Sequence, residues 1–166
     1  MSLEMFIKMD GITGESKNYQ HKGWSDIISW GWGMSSNRDS ANVRDDDKPS
    51  FKELSITKRI GMDSTDIMLL FAQGKAIKNV ELNIVPVVAK REAKQKYLSM
   101  RMEDVLIKSI TTGGSVTEEY FEENILLLFS KIRFEYNFNT PVTTENPAGK
   151  SVDYKFGWDL AMNQEW

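Results

Sequence analysis

The tetrapeptide SITK, Ser55 to Lys58, has the Ser-x-x-Lys spacing by which acylating serine enzymes bring a hydroxyl beside an amine on a helix. Here it sits inside ELSITKRI, residues 53 to 60, where apolar and polar residues alternate as in a strand. On a strand, residues three apart point to opposite faces, so Ser55 and Lys58 do not meet. The segment QGKA at 73 to 76 has the end of a phosphate-binding loop without its first glycine or its magnesium-binding hydroxyl, and reads as a helix end. Asp45, Asp46 and Asp47 with Asp39 lack the glycine and closing glutamate of a calcium loop and read as a solvated loop. Glu118, Glu119, Glu122 and Glu123 crowd the start of a strand, where alternation puts Glu119 and Glu123 on one face and Glu118 and Glu122 on the other. That suits pairing with basic side chains on a neighbouring strand or subunit. His21 is the single histidine, and no second group is nominated to make it a general base, so it reads as a loop residue. No catalytic, cofactor-binding or metal-ligating set emerges, and the chain reads as a non-enzyme.

Bulk properties narrow the classes further. With 166 residues the chain fits one domain, 1 to 166, and is long enough to bury a core without staples. Lysine plus arginine number 21 against 24 acidic residues, a formal charge of −3 that offers no excess to neutralise a phosphate backbone, so nucleic acid is not expected as a partner. The absence of cysteine removes disulfides and thiolate metal sites. The N-terminal MSLEMFIKMDG lacks a signal-length apolar stretch, and runs such as ILLLF at 125 to 129 are far shorter than the roughly 20 residues that span a bilayer. A chain made in the cytosol, not inserted in a membrane, is the expectation.

The elements that must position these residues are mostly strands. Period-2 patterns run through 3 to 9, 53 to 60, 79 to 88 and 153 to 162. Two long strands are expected on either side of TGGS at 112 to 115, one from Lys96 to Thr111 and one from Tyr120 to Phe138. One helix is expected over 63 to 74, with Asp63 or Ser64 as N-cap, Ile67, Leu70 and Phe71 on the inner face, and Gly74 as the stop. The fold class is therefore mainly β, a small antiparallel barrel or two-sheet sandwich with one short flanking helix. Polar stretches 36 to 50 and 139 to 151 are expected as exposed loops.

IISWGWGMS, residues 27 to 35, alternates very large with very small side chains. Read as one strand, it puts Ile28, Trp30, Trp32 and Met34 on a buried face and Ser29, Gly31 and Gly33 on a nearly bare one, where another backbone or a ligand can come close. Five tryptophans, eight phenylalanines and five tyrosines exceed what one small core needs, which favours subunit contacts.

The segments MFIKMDGITGESK (5 to 17), HKGWSDIISWGWGMS (21 to 35), LSITKRIGMDSTDIMLLFAQGK (54 to 75), SITTGGS (109 to 115) and KFGWDLAMN (155 to 163) together resemble the haemolysin co-regulated protein family (Hcp, TssD), the tube protein of bacterial type VI secretion. The match runs in order over nearly the whole chain and departs chiefly in the two loops. The resemblance implies a small β-barrel of two sheets with one helix, assembling as a hexameric ring. Stacked rings form a tube inside a contractile sheath, expelled with a VgrG spike and without a signal peptide, and effector proteins ride in the lumen. It implies no enzyme activity and no cofactor. On this reading Ser29, Gly31 and Gly33 border the lumen, and the loop 36 to 50, with Asp39, Asn42, Arg44, Asp45 and Asp46, projects from a ring face and helps rings stack. A phage-tail-tube-like structural protein and a monomeric β-sheet binding module or chaperone are the competing readings.

Overall fold

The alternation of Leu3 to Met9 against that of Asn79 to Pro86 is what an antiparallel pair with one buried face requires, and these segments do pair, residue for residue from Leu3 opposite Pro86 to Met9 opposite Val80. A computed structural model describes residues 2–36, 48–87, 97–140 and 150–166. In chain order the strands are β1 (Leu3–Met9), β2 (Ser25–Asp26), β3 (Ser29–Gly31), β4 (Met34–Ser35), β5 (Ser50–Phe51) and β6 (Leu54–Arg59). After the helix α1 (Ser64–Gln73) come β7 (Ile77–Pro86), β8 (Leu98–Gly113), β9 (Glu122–Leu128), β10 (Lys131–Thr140), β11 (Lys150–Asp159) and β12 (Gln164–Glu165).

All pairings are antiparallel. One sheet has the order β12-β11-β10-β8-β7-β1-β2, and a second has the order β3-β6-β9-β8. Strand β8 belongs to both. Its residues 98 to 105 pair with β7 and, through 103, with β10, whereas residues 106 to 113 pair with β9 alone. At the change Asp104 takes φ 51°, a left-handed conformation that aspartate tolerates better than most side chains, and a bulge leaves Lys108 as the extra residue. The two sheets are thus one hydrogen-bonded system bent through β8, a sandwich rather than a closed barrel among the described residues.

The second long strand of the sequence reading is cut in two by the same bend. It breaks at Phe129 and Ser130, where the Ser130 N–H donates to Glu103 O at 3.0 Å, so β9 stays in the smaller sheet and β10 joins the larger. The tryptophan segment also divides. Ser25 and Asp26 pair with β1, Ser29 to Gly31 pair with β6, and Met34 with Ser35 pairs with β5. It crosses between the sheets, so it has no single buried face. Ile28 is 38% exposed and Met34 51% exposed, while Trp30 and Trp32 pack partly buried against the core. The expected four-residue core face is corrected accordingly.

Helix α1 matches its expected span, with Asp63 at the N-cap and Gly74 left-handed at φ 63°. Ile67 is buried and Leu70 packs on the core, but Phe71 points to solvent. The strands β10 and β11 run two residues into each side of the loop expected over 139 to 151, with Thr140 opposite Lys150. The core itself comes from the inward faces of both sheets, among them Ile7, Leu54, Ile56, Leu82, Met100 and Ile125.

A cluster of charges is buried beside that core. On β6 the inward positions are Leu54, Ile56 and Lys58, so alternation buries a lysine, which is 2% exposed. Its Nζ lies 2.9 Å from Asp63 Oδ1 and 2.5 Å from Glu123 Oε1, the residue opposite it on β9. Ser64 Oγ donates to the same Glu123 oxygen at 2.8 Å, and Ser25 Oγ donates to Asp63 Oδ2. The cluster ties β6, β9, the start of α1 and β2 together. Asp63 spends its carboxylate on Lys58 and Ser25 and makes no side-chain cap.

Removing the cation leaves two buried carboxylates without their counter-charge, a loss of about 3 to 5 kcal/mol for a broken buried pair. Lys58→Met is therefore expected to lower unfolding stability by about that amount in urea titration. A change under about 1 kcal/mol would show that the cluster is not a stabilising tie.

Candidate functional site

The smaller sheet presents a face without a core behind it. Its inward side is apolar, with Trp30, Ile56, Ile125 and Ile110 aligned across the four strands. Because alternate residues face opposite ways, their neighbours form outward rows. One row is Ser29, Thr57, Asn124 and Thr111. The next is Gly31, Ser55, Leu126 and Ser109. Asn124 Nδ2 donates to Thr57 Oγ1 at 3.1 Å and to Ser55 Oγ at 3.2 Å, fixing the middle of the face. No charged side chain stands in either row. Charges begin only at the ends, with Arg59 and Glu122 at one and the ion pair of Lys108 with Glu53 at the other.

The same sheet has two open edges among the described residues: β3 on one side and the distal half of β8 on the other. The Ile60 N–H donates to Phe121 O, so Ser55 and Thr57 turn their backbone groups to β3 rather than β9; Thr57 O accordingly accepts from the Ile28 N–H at 2.7 Å, and on β3 the N–H and C=O of Trp30 point into the open edge. An exposed edge of this kind is a template for another chain.

Of the sequence-predicted site residues, Ser29 and Gly31 lie together in β3 on this outward face, and a Cβ built on Gly31 meets nothing within 4 Å. Gly33 lies beyond the end of β3; its carbonyl accepts from the Lys52 N–H at 2.9 Å, which places it with the β4–β5 ribbon. Asp39, Asn42, Arg44, Asp45 and Asp46 lie outside the described residues. Ser55 and Lys58 point to opposite faces, as expected. Glu123 pairs across strands as expected, while Glu118, Glu119 and Glu122 are exposed. His21 lies in the loop between β1 and β2, as expected, but it is buried, stacked on Phe6 at 4.4 Å between centroids and edge-on to Trp24. Among the described residues no cluster of three or more His, Cys, Asp or Glu is arranged to hold a metal ion, and no helix is long and apolar enough to cross a membrane.

Thr57, Asn124, Ser109 and Thr111 were not singled out by sequence reasoning, and Ser55 was considered only for its spacing to Lys58. Their signal was present as the polar half of ELSITKRI and of the strands around TGGS, but which strands sit side by side is a tertiary fact.

Beside the start of β3 a cleft opens between Ser25–Ile28 and Arg59–Asp63, with Glu15 and Lys17 at its rim. Asp26 lies here. Loss of surrounding water raises its carboxyl above the usual aspartate range, and Glu4 and Glu15 add to this against a hydrogen bond from Ser16 and the charge of Arg59.

A family model described as type VI secretion system effector, Hcp, matches residues 6–136. Protein hcp1 of Pseudomonas aeruginosa is 30% identical over 165 residues, covering 98% of each chain. A solved structure of a type six secretion system protein superposes with a TM-score of 0.83 at 21% identity, covering 99% of this chain and 100% of the other. A type VI secretion system effector from Yersinia pestis superposes at 0.65 with 28% identity, over 90% and 98% of the two chains.

The raised Asp26 carboxyl carries a sign. The folded state holds this proton more tightly than the unfolded chain, so the ionised form works against folding as pH rises through the folded value, and the effect is gone below the unfolded one. Asp26→Asn is expected to raise the thermal midpoint slightly at about pH 7 and to leave it unchanged at about pH 3. An equal shift at both values would contradict this origin.

Proposed function

The chain belongs to the Hcp family of type VI secretion proteins, and from that premise we propose that it is a structural tube subunit, not an enzyme, whose copies close head to tail into six-membered rings. The rings stack into the inner tube expelled by the contractile apparatus, and the uncharged face of the smaller sheet lines the lumen in which effectors travel. The observation that carries this reading is the pair of open edges on a sheet with an even number of antiparallel strands. When β3 of one copy meets the distal half of β8 of the next, the strands still alternate in direction at the junction, so identical copies join without a break in the ladder. The two edges are different surfaces, which is what a ring closed by rotation needs.

Such closure turns Ser29 and Gly31, with Thr57, Asn124 and Thr111, toward the axis, and Gly33 to the margin of the same wall. A wall of hydroxyls, one amide and bare glycine backbone gives cargo short hydrogen bonds and no fixed charge. The loop 36 to 50, with Asp39, Asn42, Arg44, Asp45 and Asp46, contributes on this reading to ring stacking. The partners are then other copies, the VgrG spike, the sheath and secreted effectors. The protein is made in the cytoplasm and leaves through the injector itself. No cofactor has a role.

Native mass measurement at micromolar concentration is expected to give six copies; a monomer would overturn the ring. Because the space beyond Gly31 is empty, Gly31→Trp is expected to keep the monomer fold and the ring while abolishing retention of a co-expressed effector. Unchanged retention in intact rings would contradict the placement of this face in the lumen.

A further inference from the structure

The hairpin that joins β8 to β9 is pinned to its own chain along its returning arm. On the returning arm the Arg59 guanidinium lies 3.8 Å over the Tyr120 ring, and the Ile60 N–H donates to Phe121 O at 2.9 Å. Phe121 packs over Gly114, where any Cβ would collide with its ring. The outgoing arm ends in a tight turn. The Ser115 N–H donates to Glu118 Oε2 and the Thr117 N–H to Ser115 Oγ, each at 3.2 Å, while the Glu118 N–H reaches Ser115 O at 3.1 Å. At the apex of this fixed turn stands Val116, fully exposed.

The cleft described above shares a rim with that hairpin. Ser29 on β3, Arg59 on β6, Glu122 on β9 and Gly113 on β8 all stand at the same end of the smaller sheet. The cleft lies at the end of β3 and β6, and its mouth carries two exposed isoleucines, Ile28 at 38% and Ile60 at 43%. Its charges largely answer one another: Lys58 with Asp63, and Arg59 and Lys17 beside Asp26 and Glu15. What it offers a visitor is therefore apolar contact at the mouth.

We infer that Val116 and its turn in one copy dock into the cleft of the next copy, between Ile28 and Ile60. This rests on the head-to-tail ring proposed above and names a contact that the ring reading does not require. Joining β8 to the next copy's β3 sets the hairpin beside that copy's cleft, about 10 Å away at two strand spacings. The occupant is a second copy because the open β3 edge flanking the cleft is the edge that the next β8 fills. A prefolded turn loses little freedom on docking, which favours a small apolar anchor over a larger mobile one.

The chain has no cysteine, so engineered disulfides read out the contact on a clean background. Ile28→Cys combined with Val116→Cys, oxidised after assembly, is expected to give a covalent ladder up to six copies on non-reducing gels, while either single variant stays uncrosslinked. Val116→Asp, checked for fold by circular dichroism, is expected to raise the concentration at which rings dissociate about tenfold, as for loss of an interface anchor. Native mass on the same samples separates the outcomes. Rings that form without crosslinks, or that dissociate unchanged with Val116→Asp, overturn the docking and leave the ring; a parent chain that is monomeric overturns both.

Discussion

Strand β8 is shared by two sheets, and most of the molecule follows from that sharing. The strand is hydrogen-bonded on both sides for its first half and on one side for its second, and it bends between them. The bend is absorbed by Asp104 in a left-handed conformation and by the extra residue Lys108. The neighbouring hairpin arm bends at the same level, at Phe129 and Ser130, because the two arms are laddered to each other on either side of it. Had β8 stayed in the larger sheet, β9 and β6 would have had no flank to build on. Its departure creates a four-stranded sheet whose last strand is covered on one side only, and that uncovered side is the edge on which the proposed assembly depends.

The other side of the small sheet is held by charge rather than by ladder. β3 has three residues and β2 two, too few to define the crossover from one sheet to the other. Asp63 accepts from Ser25 on the crossover and from Lys58 on β6, while Lys58 also reaches Glu123 on β9. A buried ion cluster is a poor source of net stability compared with a packed apolar core, but it is demanding about geometry. Here it sets the distance between the crossover, the helix start and the sheet, and hence the shape of the cleft beside β3. A subunit that must match its own copy around a ring needs edge and cleft in fixed relation.

The alternation in the sequence was enough to name a mainly β fold with one helix at 63 to 74, since period 2 and a glycine-stopped helix are local properties. It was also enough to separate Ser55 from Lys58. It was not enough to see the crossover. IISWGWGMS alternates without interruption, and nothing local says that Asp26 pairs with one sheet and Ser29 with another. Ile28 and Met34 became exposed for that reason. Lys58 was legible in principle, standing on the same parity as Leu54 and Ile56, yet its burial becomes reasonable only once Glu123 is known to be its cross-strand partner. The candidate wall was half visible: Ser29 and Gly31 could be picked from their own segment, whereas Thr57, Asn124 and Thr111 join them only through strand order.

The central claim is that the uncharged face of the four-stranded sheet lines a channel. A three-dimensional cryo-electron microscopy reconstruction of the purified assembly tests it most directly. The account predicts six copies around an axis, with the row Ser29, Thr57, Asn124 and Thr111 facing the channel and β3 laddered to the next copy's β8. A ring in which that row faces outward, and the larger sheet surrounds the axis, would contradict it.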